Sequence, residues 1–201
     1  MKLWEKLKAY REKKGLPWFT EPWDLNLFIL RSGRVGEWDD LWFLTCVDDS
    51  NRRIVQRVKA TSDAWAGEWT NPTHPDGTVF ILNGHYPGGY ERGLHKGRIC
   101  LRQRVNFEYV RWPANGQIPT VAQLNSLAAS GKSFWDNRGT HIHNRISGKA
   151  PAKPQRDDSE GCVVSLWYHQ HMAGIELVKQ QERFRGSSIV SPTFLRAEDL
   201  D

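Results

Sequence analysis

Cysteine is scarce: Cys46, Cys100 and Cys162 are the only three in 201 residues. A small odd number is not a disulfide framework, so no cross-linked scaffold is expected. Long apolar runs are missing, and nothing approaches the roughly 18 to 20 uninterrupted apolar residues of a membrane-spanning helix. Repeats, heptads and low-complexity tracts are absent, which excludes a solenoid, a coiled coil and a collagen-like chain. There is no Cys-x-x-Cys pair, His-Glu-x-x-His run, Walker A loop or dinucleotide fingerprint. An excess of one charge is also lacking. Lys plus Arg is 28 and Asp plus Glu is 23, a net charge of +5 with no arginine-rich run. This mild basicity fits an anionic polymer as partner. A nucleic-acid-binding module would need its basic residues clustered, so none is expected.

The chain does have enough apolar residues, 39%, for a sizeable core, and its 25% of charged residues argue against disorder. Its length suggests one domain with at most a small annex. Ten tryptophans exceed what a core of this size needs, leaving some for a surface that stacks on flat groups. Leu3, Trp4, Leu7 and Tyr10 recur at helical spacing among Lys and Arg. Residues 1–16 therefore read as an amphipathic helix, docked on a domain formed by 17–201; a membrane-surface helix is the alternative. No apolar h-region follows the basic start, so no secretory signal is expected.

From residue 24 the pattern turns to strands, giving a mainly β domain with two or three helices (α+β). Strands are expected over 24–31, 40–47, 53–59, 78–82, 98–104, 107–112, 139–146, 162–166 and 187–190. Strands 98–104 and 107–112 read as a hairpin around Val105-Asn106. Residues 60–76 read as a loop, and 83–97 as a segment rich in Gly and aromatics. Thr120 is a candidate N-cap for a helix to Ala129, and 167–184 reads as an amphipathic helix. Cys46 and Cys100, inside apolar runs, read as buried core thiols.

Residues 139–166 concentrate chemistry-bearing side chains. His141 and His143 lie two apart on a strand and so share a face. After a polar loop, Ser159-Glu160-Gly161-Cys162 opens the next apolar run. A thiol at such a junction can be partly exposed. A nearby imidazole can take its proton and make it nucleophilic. Gly161 lets the backbone approach a substrate carbonyl, and N–H groups there can hold an oxyanion. A zinc site drawn from His141, His143, Cys162, His169 and His171 is the competing arrangement. It is disfavoured because residues i and i+2 of a helix do not share a face.

Ile142-His143, a polar loop, and Ser159-Glu160-Gly161-Cys162-Val163-Val164 together resemble the active-site motif of L,D-transpeptidase catalytic domains of the YkuD type. Gly77-Thr78-Val79-Phe80, Gly84-His85-Tyr86-Pro87-Gly88, Gly93-Leu94-His95-Lys96-Gly97 and Leu101-Arg102-Gln103 extend the resemblance to a divergent phage and bacterial branch, over roughly residues 24–200. The resemblance implies an L,D-transpeptidase-like β-sandwich or barrel. It also implies cysteine-dependent acyl transfer or hydrolysis on peptidoglycan stem peptides, without a cofactor. Cys162 would be the nucleophile, His143 the base, the N–H groups of Gly161 and Cys162 the oxyanion donors and Ser159 a brace for the loop or the imidazole. His141, Glu160, His95 and Arg145 are candidate substrate-binding groups, with Arg102 and Arg156 as further carboxylate partners. Without a visible signal, action on the cell wall would require release by phage lysis or a secretion system. The sequence departs from the family motif twice. Glu160 replaces the motif histidine, and no Arg or Asn closely follows Cys162. A peptidoglycan-binding or regulatory protein without turnover is therefore the alternative.

Overall fold

The computed structural model describes residues 2–145 and 159–200. Among them are strands β1 (Asn26–Arg31), β2 (Asp40–Val47), β3 (Arg53–Thr61), β4 (Thr78–Ile81), β5 (Gly84–His85), β6 (Tyr90–His95) and β7 (Arg98–Gln103). Six more follow: β8 (Phe107–Trp112), β9 (Phe134–Asp136), β10 (Ile142–Asn144), β11 (Val163–Ser165), β12 (Ile189–Val190) and β13 (Pro192–Arg196). The helices are α1 (Leu3–Lys13), α2 (Ala66–Thr70), α3 (Val121–Ala129) and α4 (Tyr168–Arg185). Among the described residues the protein is mainly β with four α-helices.

Ten strands form one curled sheet in the order β12-β6-β7-β10-β11-β3-β2-β1-β13-β5; β4-β8-β9 form a second, smaller sheet. Two pairs in the large sheet are parallel, β1 with β13 and β10 with β11. The near-continuous apolar run of β1 follows from its place in the middle, covered on both faces. Leu27 and Ile29 enter the main core with Trp42, Leu44, Cys46, Leu101, Ile142, Val163 and Phe194. The alternate residue Phe28 points to the other face, with Phe43, Leu195 and Leu7 of α1. Each such side chain contributes roughly 1.5–3 kcal/mol on burial.

The N-terminal helix is docked on this second face. Its Arg11 is fully buried, and the guanidinium donates to Asn26 Oδ1 at 2.9 Å and Thr193 Oγ1 at 3.0 Å, with the Phe28 ring 4.5 Å away. Burial pulls the guanidinium pKa down to about 10. On the other side of the large sheet, α4 contributes Ile175 and Val178 to the main core. Thr120 caps α3 in a reciprocal box with Gln123. No described helix is long and apolar enough to cross a membrane.

The pairing of 98–104 with 107–112 is overturned. β7 pairs with β6 and β10 in the large sheet, whereas β8 pairs with β4 and β9 in the small one. The hairpin partner of β7 lies on its N-terminal side. His95 pairs with Arg98 across Lys96-Gly97, both with positive φ (48° and 76°), as a two-residue turn with the right twist requires. The Gly- and aromatic-rich segment 83–97 thus contains β5 and β6, and the loop 60–76 contains α2. β9 and β13 were not expected from the sequence.

Candidate active site

Parallel pairing of β10 and β11 puts Ile142 opposite Val163 and His143 opposite Val164. Ile142 and Val163 fill the core, so the alternate side chains of His141, His143 and Cys162 emerge on the opposite face. That face meets the small sheet across a cleft of about 710 Å³, lined by His143, Cys162, Ser159, Glu160, His95 and Val79 among others. The large sheet brings the motif residues, and β4 and β8 form the facing wall.

The junction before Cys162 is a built turn. Ser159 is buried. Its Oγ accepts from the Gly161 N–H at 3.1 Å and donates to the Cys162 carbonyl at 2.8 Å. Its own carbonyl accepts from the Trp65 N–H at 2.9 Å. Gly161 has φ 131°, which side chains rarely adopt, and a Cβ there would lie 3.3 Å from Val79 Cγ2. The Gly161 N–H expected to serve an oxyanion is therefore already given to Ser159. Among the described residues the Cys162 N–H has no acceptor, so of the two N–H groups expected to serve an oxyanion it is the one not already used.

Cys162 is half-buried, and its Sγ lies 3.7 Å from the Gly139 carbonyl oxygen. Burial pushes its thiol pKa up to about 11; an N–H contact from His141 opposes this, and the charge of Glu160 reinforces it. The resting sulfur is thus a neutral thiol at neutral pH. The His143 Nδ1 lies 3.0 Å from the Asn144 carbonyl oxygen. A carbonyl only accepts, so Nδ1 is the donor of this bond.

His95 lies over the other two histidines. Its ring centroid is 5.5 Å from that of His143, with 29° between the planes, and 4.7 Å from that of His141. Burial, then Lys96 and Arg102, hold its pKa below the usual imidazole range. His141, expected as a substrate group, does not line the cleft. Its Nδ1 accepts from the Gln103 N–H at 3.1 Å, and burial pulls its pKa down to about 4, so it is neutral and acts as support. Glu160 does line the cleft, where its Oε1 accepts from Thr73 Oγ1 at 3.3 Å.

Arg145 and Arg102, expected as carboxylate partners, are not among the described lining residues, and Arg156 lies outside the described residues. Among the described residues the cleft is lined instead by the cations Lys96, Arg98, Arg111 and Arg138. They come from the β6–β7 turn, from β7, from β8 and from the segment before β10. Only the sheet topology brings them together. Gln103 was also missed as a positioning residue. Its Oε1 accepts from Thr140 N–H at 2.9 Å and from Tyr109 OH at 3.1 Å, which fixes the segment whose Gly139 carbonyl faces the thiol.

Among the described residues His169 and His171 form no metal centre with His141 and His143. His171 is buried in the core, with Nδ1 3.0 Å from Ser165 Oγ and Nε2 donating to the Ile99 carbonyl. Among the described residues no group of His, Cys, Asp or Glu is arranged to hold a metal ion. Cys46 and Cys100 are fully buried, and burial pushes each thiol pKa up to about 12. Compared with known proteins, the chain matches no family model, no curated protein and no solved structure.

Proposed function

We propose that this chain is a cysteine-dependent acyltransferase or peptidase acting on peptidoglycan stem peptides, built on an L,D-transpeptidase-like fold. The observation that carries the reading is the shared cleft of Cys162 and His143, delivered from adjacent parallel strands. The substrate class comes from the resemblance of the 142–164 motif; the cleft supplies the chemistry.

In this reading the Cys162 proton passes to His143 Nε2 as sulfur attacks the stem carbonyl. Because the resting thiol is neutral, transfer accompanies attack instead of preceding it. The C–S bond forms and the carbonyl π pair moves to oxygen, which the Cys162 N–H receives. Collapse breaks the C–N bond, and the leaving amine takes the proton from His143. A thioester remains. An amine acceptor then gives transpeptidation or exchange, and water gives hydrolysis.

A second reading, a peptidoglycan-binding protein on the same fold without turnover, draws on the raised thiol pKa and on Glu160 beside the sulfur. Incubation with purified muropeptides, followed by mass spectrometry of products and of the intact protein, separates the two. The enzyme reading expects altered muropeptides and an acyl adduct on Cys162, both lost in Cys162→Ala. Muropeptides that bind but emerge unchanged, with no adduct, would leave only the binding protein.

A further inference from the structure

Two guanidinium groups stand on one aromatic ring at the wall of the cleft. Arg111, from β8, lies 5.8 Å from the Phe134 ring centroid, and Arg138, ahead of β10, lies 5.5 Å from it. Both line the cleft. Their like charges are close enough that Arg138 adds to burial in lowering the Arg111 pKa. Such an arrangement costs free energy unless something anionic offsets it.

The carboxylates of Asp76 and Asp136, whose charges both act on Arg111, offset part of it. Asp136 Oδ2 accepts from Arg138 Nε at 2.9 Å, and Arg111 Nη1 donates to the Gly77 carbonyl at 2.6 Å. The second of these orients the fork and brings no charge. Lys96 and Arg98 add two more cations across the cleft, against Glu160 and Glu68. Glu68 is buried, and Thr73 N–H and Oγ1 donate to its carboxylate. The guanidinium fork matches the planar geometry of a carboxylate and the oxygens of a phosphate.

We propose that Arg111 and Arg138 form the seat for an oxyanion of the ligand, held on the small-sheet wall opposite the motif strands. Its assignment to a peptide carboxylate rests on the reading above. Arg138 directly precedes Gly139, whose carbonyl faces Cys162 Sγ. A carboxylate in the seat is then that of a C-terminal residue, and the bond presented to sulfur is the one that releases this residue.

The test is calorimetric titration at low salt of wild type, Arg111→Gln and Arg138→Gln. The probes are a stem tetrapeptide with a free C-terminal carboxylate, the same peptide as its C-terminal amide, and inorganic phosphate. The seat predicts that wild type prefers the acid over the amide by about tenfold, and that either substitution removes this preference. Phosphate that competes with both peptides, without an acid-over-amide preference, keeps the seat and reassigns its occupant to a phosphate group. Equal affinity for acid and amide with no phosphate competition overturns the proposal. Binding by wild type without turnover would sink the acyl-transfer reading and leave the seat standing. Thermal unfolding of both variants checks that a lost preference is not lost folding.

Discussion

The rings of His95 and His143 stack 5.5 Å apart with 29° between their planes, across the β6–β7 hairpin and β10. The stack limits rotation of the imidazole whose Nε2 takes the thiol proton in the proposed mechanism. It also places a second titratable ring beside a developing imidazolium. Because burial, Lys96 and Arg102 hold His95 below the usual imidazole range, it is neutral at neutral pH and imposes no charge penalty there. His95→Phe should keep the stack and most of the rate, whereas His95→Ala should lower kcat about tenfold through a loosened base. The pH profile distinguishes position from bulk. In wild type, protonation of His95 opposes a cation on His143, so the acid limb of kcat/KM should be steeper than in His95→Phe. Superimposable acid limbs would remove electrostatic coupling between the rings.

Gly161 couples the motif backbone to the facing wall. At φ 131° any side chain is strained, and the added Cβ would press on Val79 Cγ2 at 3.3 Å. Gly161→Ala should cost about 1–3 kcal/mol in urea unfolding. It should also abolish turnover, because the N–H bond to Ser159 and the direction of Cys162 depend on this turn. Val79→Ala in the same background gives the new methyl room. Partial recovery of stability without recovery of activity would separate the contact from the backbone strain.

Local features were legible in the sequence where one segment carried its own signal. The alternation in β3, the N-cap of α3 at Thr120 and the placement of His141 and His143 on one face all depend on neighbours in the chain. The hairpin of β6 with β7 was missed because Leu94, which is exposed, and the glycines of that segment blur the alternation. Its signal was the Lys96-Gly97 turn. The partnership of β1 with β13 joins residues more than 160 positions apart, and no local pattern encodes it. The same holds for Lys96, Arg98, Arg111 and Arg138, each of which looks like solvated surface charge in sequence and which meet only when two sheets enclose the cleft.

The three thiols should separate by reactivity. With a pKa raised to about 11, Cys162 should alkylate slowly near neutral pH and faster as pH climbs toward that value. Cys46 and Cys100 should stay unmodified until the protein unfolds, since both are fully buried. Emptying their core volume with Cys46→Ala or Cys100→Ala should cost about 1–3 kcal/mol. Cys162→Ala, at the edge of the cleft, should change stability by less than about 0.5 kcal/mol. Peptide mapping of alkylated protein across a pH series reads all three. Rapid neutral-pH labelling of Cys162 would mean that a cation sits nearer the sulfur than the structure places one.

Asp63 links the fold to pH. Its carboxyl is buried beside Asp40, and its Oδ1 has no hydrogen-bond partner among the described residues. Burial, reinforced by the charge of Asp40 and only partly opposed by Arg31, raises its pKa to about 8. An unfolded Asp titrates near about 4, so between about pH 4 and about pH 8 the folded chain binds a proton that the unfolded chain has released. Stability is therefore greatest below this window and falls as pH rises through it, the reverse of a salt-bridged carboxylate. The neighbouring Asp40 is better satisfied: Ser62 N–H and Oγ and the Ser32 N–H all donate to it. Asp63→Asn keeps the shape of the protonated form and removes the titration. It should leave stability near the acid end unchanged and exceed wild type by on the order of 5 kcal/mol near about pH 8. Urea unfolding at both ends of the window measures this. A wild-type midpoint that stays level across the window would show that Asp63 is already ionised at its acid end and has found a partner or water in the fold.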